Sequence, residues 1–224
     1  MMTAGEAQQR VRDLQGWAGN DILALKSLFD ATSILESCAM NETLQLIRQR
    51  RSTRKFQETQ VPDDMAETIL EAGRLAPCSM NRQERHFTAV WSQKLMADMN
   101  RESKAVAVGV KDRYLSLMAQ SENYSIFHHA PLLIIVSGPD EPMVESDCAA
   151  AIQNMMIAAE SLGYSTCWVN YVLFLFQGPK DAEYREKLEI PAGYHPYGAL
   201  VIGVKEDDLP KDRTIRGNTV NHIR

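Results

Sequence analysis

Apolar and polar positions alternate along this chain in blocks that change period. Between residues 20 and 40, Ile22, Leu25, Leu28, Phe29 and Leu35 recur at helical spacing after Asn20-Asp21, and Gly16 and Gly19 mark a break ahead of them. This predicts one or two amphipathic helices. Asn41 is placed to cap a helix over Glu42 to Arg51, with Leu44 and Ile47 on its inner face. Val61-Pro62-Asp63 opens the next helix, which carries Met65, Ile69 and Ala72 on one face and stops by Pro77. His86 to Trp91 reads as a strand, and Ser92 to about Arg101 as a helix. Ser103 to Phe127 is polar, with a helix around Arg113 to Met118; such a stretch suits a lid or substrate wall.

The second half is more sharply marked. Leu132 to Ser137 is a short apolar run bounded by Gly138-Pro139-Asp140, the pattern of a strand buried on both faces. Ser146 to Leu162 is apolar on almost every side, so it belongs in the core or at a subunit interface, and Gly163 ends it. Tyr164 to Val169 reads as a strand, Asp181 to Leu188 as a short helix and Tyr197 to Val204 as the last strand. Alternating helices and strands fit a doubly wound parallel sheet. However, no GxGxxG follows a strand, and periodicity alone does not choose the topology.

With 224 residues, 45% of them hydrophobic, the chain suits one globular domain with a short extension. We expect residues 1–40 to be a helical extension and 41–224 the main domain. A net charge of -5 argues against nucleic acid as a partner. No apolar run reaches spanning length, and the N-terminus lacks a secretory core, so the expected compartment is the cytoplasm, away from membranes. The four cysteines, Cys38, Cys78, Cys148 and Cys167, lack CxxC spacing and read as free thiols. The five histidines show no metal-binding spacing, and His128-His129 suits capping or packing.

The candidate chemistry begins at Arg50-Arg51-Ser52-Thr53-Arg54-Lys55-Phe56. Arg50, Ser52 and Arg54 alternate, so an extended backbone points them to one side. Two guanidinium forks and a hydroxyl suit a phosphate or a polar ring edge. Alone, the string reads more readily as a solvated basic turn. Pro77-Cys78-Ser79-Met80-Asn81-Arg82-Gln83 follows, then Ser146-Asp147 through Asn154-Met155-Met156, Leu162-Gly163, Cys167-Trp168-Val169 and Gly198 to Gly203.

In order and spacing these motifs resemble the nitroreductase family of FMN-dependent oxidoreductases, from about Glu42 to the C-terminus. The resemblance implies an α+β fold, a mixed, mostly antiparallel sheet flanked by helices. It also implies an intertwined homodimer with crossing C-terminal tails and FMN at the interface. By similarity Arg50, Arg51, Ser52 and Arg54 would meet the flavin, Arg50 and Ser52 toward its phosphate and Arg54 toward its ring. Lys211 and Arg213 resemble a C-terminal phosphate-binding pair, with Arg216 a rival for one place and a solvated tail the bland alternative. Pro77, Cys78, Ser79, Asn81 and Gln83 match a segment that reaches the flavin of the other subunit.

Departures from the family pattern are Cys78, and Glu84-Arg85 in place of Pro-Trp, which makes the outer wall less aromatic. Val169, Asn170 and Tyr171 would bring backbone N–H groups to the flavin's redox centre, though Tyr171 reads equally as a packed aromatic. Gln153 and Asn154 read as a satisfied polar pair inside a dimer interface. No catalytic side chain is expected. The implied activity is ping-pong hydride transfer from NAD(P)H to nitroaromatic, quinone or activated enone acceptors. Dehalogenating or flavin-fragmenting chemistry needs lid residues not identified in Ser103 to Phe127. A low-turnover flavin-binding protein, recruited to a partner by residues 1–40, is the non-enzymatic alternative.

Overall fold

The computed structural model describes residues 41–207, together with 9, 217 and 219–223. The predicted helices of residues 1–40, and Lys211, Arg213 and Arg216, lie outside the described residues. The chain divides into two compact units, Met1–Gln49 and Arg50–Arg224. In the first, helix α1 (Glu42–Gln49) begins where expected, with Asn41 Oδ1 accepting from the Thr43 N–H at 2.9 Å. Leu44 and Ile47, expected on an inner face, are instead 53% and 43% exposed.

The second unit is built on a four-stranded sheet in the order β1-β2-β4-β3, formed by β1 (His86–Val90), β2 (Leu132–Pro139), β3 (Ser165–Trp168) and β4 (Tyr194–Gly203). Every ladder is antiparallel, and a parallel bridge from Ser52 to Thr166 makes the sheet mixed. This excludes the doubly wound alternative. β2 is buried from Leu132 to Gly138 because both faces are covered. Leu132, Ile134 and Val136 join one core with α2 (Asp63–Arg74) and α5 (Val144–Ser161). Leu133 and Ile135 join the other with α3 (Gln93–Ala107), the 3-10 segment Asn170–Gln177 and α6 (Asp181–Lys187). Helix α4 (Arg113–Gln120) is capped by the Asp112 carboxylate, which accepts from Leu115 N–H at 3.0 Å.

Several elements differ in extent from their sequence pattern. α3 is capped by Ser92, whose Oγ accepts from the Leu95 N–H at 3.2 Å, but it runs on to Ala107 because small Ser103 and Ala107 continue the buried face of Met96 and Met99. β4 starts at Tyr194 rather than Tyr197. Pro196 can sit in it because the register slips between Val136 and Ser137, and a bulge tolerates the missing N–H. α2 turns Ala66, Ile69, Leu70 and Gly73 inward, with Met65 and Ala72 at its margins. A Cβ on Gly73 would lie 2.9 Å from Met155 Cγ, so glycine here permits the close approach of α2 and α5.

Candidate functional site

The Arg50–Phe56 stretch lies along the outer edge of β3. Thr53 N–H donates to Thr166 O at 2.9 Å, and beyond it Phe56 bridges to Lys205, with Gln57 N–H on Val204 O at 2.9 Å. Buried Thr53 and Phe56 hold the backbone down. Arg50 and Ser52 are half-buried and Arg54 exposed. Cys167 of β3 lies within their field: burial pushes its thiol pKa up, while the guanidinium groups of Arg54 and Arg50 pull it down. Arg51 Nη1 donates to Arg50 O at 3.1 Å. Glu160, in the last turn of α5, shares this region. Burial raises its carboxyl pKa against the opposing pull of Lys205, Arg50 and Arg51, and its buried Oε2 has no hydrogen-bond partner among the described residues.

Past β3 the chain turns into the 3-10 segment. Val169 N–H donates to Ala199 O at 2.8 Å, while Asn170 Oδ1 accepts from Trp168 Nε1 and, at 3.3 Å, from the Ala199 N–H. The N–H groups of Asn170 and Tyr171 open the segment, where no intrahelical acceptor exists. The Tyr171 hydroxyl donates to Leu115 O at 2.7 Å, and its ring packs edge-on against Tyr124 and Phe174. Tyr171 is therefore a packed aromatic.

The Pro77–Gln83 loop lies at the other edge of the sheet, where it leads into β1. Met80, Asn81 and Gln83 all have left-handed backbones, with φ of 54°, 53° and 55°. Each such residue costs on the order of 1 kcal/mol or more, so the surroundings must impose the shape. Asp147, in the first turn of α5, accepts from Ser79 N–H through both carboxylate oxygens at 3.0 Å, and from Ser79 Oγ at 3.2 Å. Gln83 Nε2 donates to Asn81 Oδ1 at 2.8 Å, and Gln83 N–H to Cys78 Sγ at 3.3 Å. Met80, at the tip, is 86% exposed. Arg85, expected in the outer wall, turns inward as a brace. It donates to the carbonyls of Arg74, Ala76, Pro77 and Asp147 at 2.8–3.3 Å. Gln153 and Asn154 are exposed on α5, and Asn154 Nδ2 donates to Ala72 O at 3.2 Å.

The polar middle of the chain, read from sequence as suited to a lid or substrate wall, borders a cleft. Between α3 and residues 122–129 lies an open cleft of about 360 Å³, lined by Gln93, Met96, Asn100, Tyr124, Phe127 and His129 among others. Among the described residues, none of those expected from the sequence to bind cofactor lines it. Beside it, His128 packs edge-on against Tyr124. Its imidazole pKa is lowered to about 4, chiefly by burial and then by Arg54 and His129.

The unfolded chain therefore takes up a proton near pH 6.5 that the folded chain refuses until about pH 4. Stability is expected to fall as pH drops through this window, by about 1–2 kcal/mol after allowance for solvent screening. His128→Asn, which tolerates the left-handed backbone at φ 53°, should flatten that loss. Thermal melts of both proteins at pH 7 and pH 5 check this; equal losses would remove His128 as the cause.

A three-layer α+β fold thus carries a cationic stretch at one sheet edge and a braced, left-handed loop at the other. The nitroreductase family model matches residues 47–204. The chain belongs to the nitroreductase family. A solved nitroreductase with bound FMN from Bacteroides fragilis is 35% identical, aligns over 83% of this chain and 100% of its own, and superposes with a TM-score of 0.77. Another nitroreductase with bound FMN, from Desulfitobacterium hafniense, is 28% identical over 81% of this chain and 100% of its own, with a TM-score of 0.74. A protein of Archaeoglobus fulgidus, provisionally named NADH dehydrogenase/NAD(P)H nitroreductase, is 27% identical over 75% of this chain and 88% of its own length.

Proposed function

We propose that this protein is an FMN-dependent NAD(P)H oxidoreductase that works as a homodimer. The observation that carries it is the docking of the Arg50–Phe56 stretch on the edge of β3, where Ser52 bridges to Thr166 and Thr53 N–H donates to Thr166 O at 2.9 Å. Alternation along this extended backbone sends Arg50, Ser52 and Arg54 to one side, which supports a reading in which they meet FMN's need for fixed positive charge at its phosphate and donors at its ring. In this reading Arg50, Ser52 and Arg51 hold the phosphate end, helped by Lys211 and Arg213. Arg54 faces the ring, and the N–H groups at Val169, Asn170 and Tyr171 offer donors to its reactive edge.

Pro77, Cys78, Ser79, Asn81 and Gln83 serve the partner's cofactor. Asp147, which holds the loop, and Glu160, which faces the cationic stretch, lie at opposite ends of α5. At 1.5 Å per residue they are roughly 20 Å apart along the helix axis. A second copy is what lets both groups meet one ring.

FMN held by these residues would supply two-electron hydride chemistry, linking NAD(P)H in ping-pong order to a nitroaromatic, quinone or activated enone acceptor. The chain's own part is to anchor, orient and partly enclose; no side-chain acid is assigned. Purified protein is expected to be yellow, to release FMN on denaturation and to bleach anaerobically with NADH or NADPH in a stopped-flow mixer. Failure to bleach with either would leave a flavin-binding protein. A colourless protein that ignores added FMN would end the proposal.

A further inference from the structure

We propose that Arg85 and Asp147 are positioning residues for the cofactor, locking the Pro77–Gln83 loop in the shape with which it reaches the partner subunit's flavin. The inference rests on the flavin site proposed above. Three left-handed residues within four positions do not hold themselves: Asn81 tolerates that backbone, but the free chain disfavours it at Met80 and Gln83. The constraint comes from two side chains outside the loop. Asp147 grips the start of the loop's 3-10 turn by its N–H and hydroxyl, both at Ser79.

Arg85 ties together three separate pieces of backbone: the carbonyls of Arg74 and Ala76 at the end of α2, Pro77 at the root of the loop, and Asp147 itself. One planar guanidinium can do this because its donors point in fixed directions; a lysine ammonium cannot match the set. The loop is thereby referenced to α2 and α5, the two helices that pack most closely on one face of the sheet. Asn81 is itself tied to Gln83, so Ser79, Asn81 and Gln83 move as one body. Release of the brace should leave them present but misplaced, and a displacement of about 1 Å is enough to weaken a preorganised contact severely.

The test compares Asp147→Ala, Asp147→Asn, Arg85→Met and Asn81→Ala in the full-length protein. FMN affinity is read by fluorescence quenching, and ring environment by the visible circular dichroism of bound FMN. Sedimentation and thermal melting report on assembly and fold. Asp147→Ala and Arg85→Met are expected to weaken FMN roughly tenfold or more and to shrink the visible band, while remaining dimeric and folded. Asp147→Asn keeps one oxygen to accept from Ser79 and should recover most of the affinity and the band.

Native affinity and an unchanged band in both braced-loop variants, alongside loss in Asn81→Ala, would overturn the positioning role and leave the flavin site standing. If Asn81→Ala also behaves as wild type, the loop does not touch FMN, and both this inference and that part of the site fall. Unfolding of both Asp147→Ala and Arg85→Met would likewise overturn it, because the pair would then be holding the core rather than the loop.

Discussion

Arg50→Ala is expected to lose its cofactor. A charge-assisted hydrogen bond from arginine to phosphate contributes about 1.5–3 kcal/mol, and a bidentate pair lies at the upper end. The FMN dissociation constant should therefore rise on the order of 100-fold. Arg50 is half-buried against the β3 edge, where its charge already acts on Cys167 and Glu160, so it is screened less than a surface cation. Arg54→Ala should weaken binding less, because Arg54 is exposed. Arg50→Lys should recover only part of the loss, since an ammonium cannot present the same fork. The check is the flavin-to-protein ratio after gel filtration, with a titration of FMN into apoprotein. Undiminished yellow colour in Arg50→Ala would remove this stretch from the cofactor site.

Gly203→Ala is expected to destabilise the fold by about 2 kcal/mol. Gly203 ends β4, and a Cβ there would lie 2.6 Å from Pro131 Cδ and 3.0 Å from Phe56 Cδ1. The proline ring cannot rotate away, and Phe56 is buried where it anchors the cationic stretch. Relief must come from moving backbone at the β4 end. For a chain of this size the melting temperature should drop by roughly 4–8 °C. FMN affinity should fall with it, because Phe56 holds the stretch that carries Arg54. A melting temperature within 1 °C of wild type would show that this packing yields at little cost; the scale of that threshold is about 0.3–0.5 kcal/mol.

Where the sequence carried a strong local signal, the structure agrees. The run Leu132 to Ser137 is a strand buried on both faces, and the helix read from Ser146 spans Val144–Ser161 and stops at Gly163, whose φ is +82°. Where pairing or distant packing decides, local signals mislead. The last strand reads from Tyr197 but begins at Tyr194, because a bulge opposite Ser137 takes Pro196. The apolar string after Asn170 forms a 3-10 segment whose Val172 and Leu175 pack against the sheet's second face. Nothing in the local sequence marks Asp147 or Arg85 as loop braces; their partners are 68 and up to 62 residues away or set by a turn that only the fold creates.

By itself the sequence determined the period of each main element, the alternation of Arg50, Ser52 and Arg54, and the ordered motifs that assign the family. These depend on neighbours along the chain, where spacing is fixed by covalent geometry. The tertiary structure decided the strand order, the inward turn of Arg85, the left-handed shape of the loop and the half-burial of His128 beside Tyr124. Those depend on which segments meet across the core. That meeting is settled by burial and hydrogen bonding summed over the whole fold, which no short window of sequence contains.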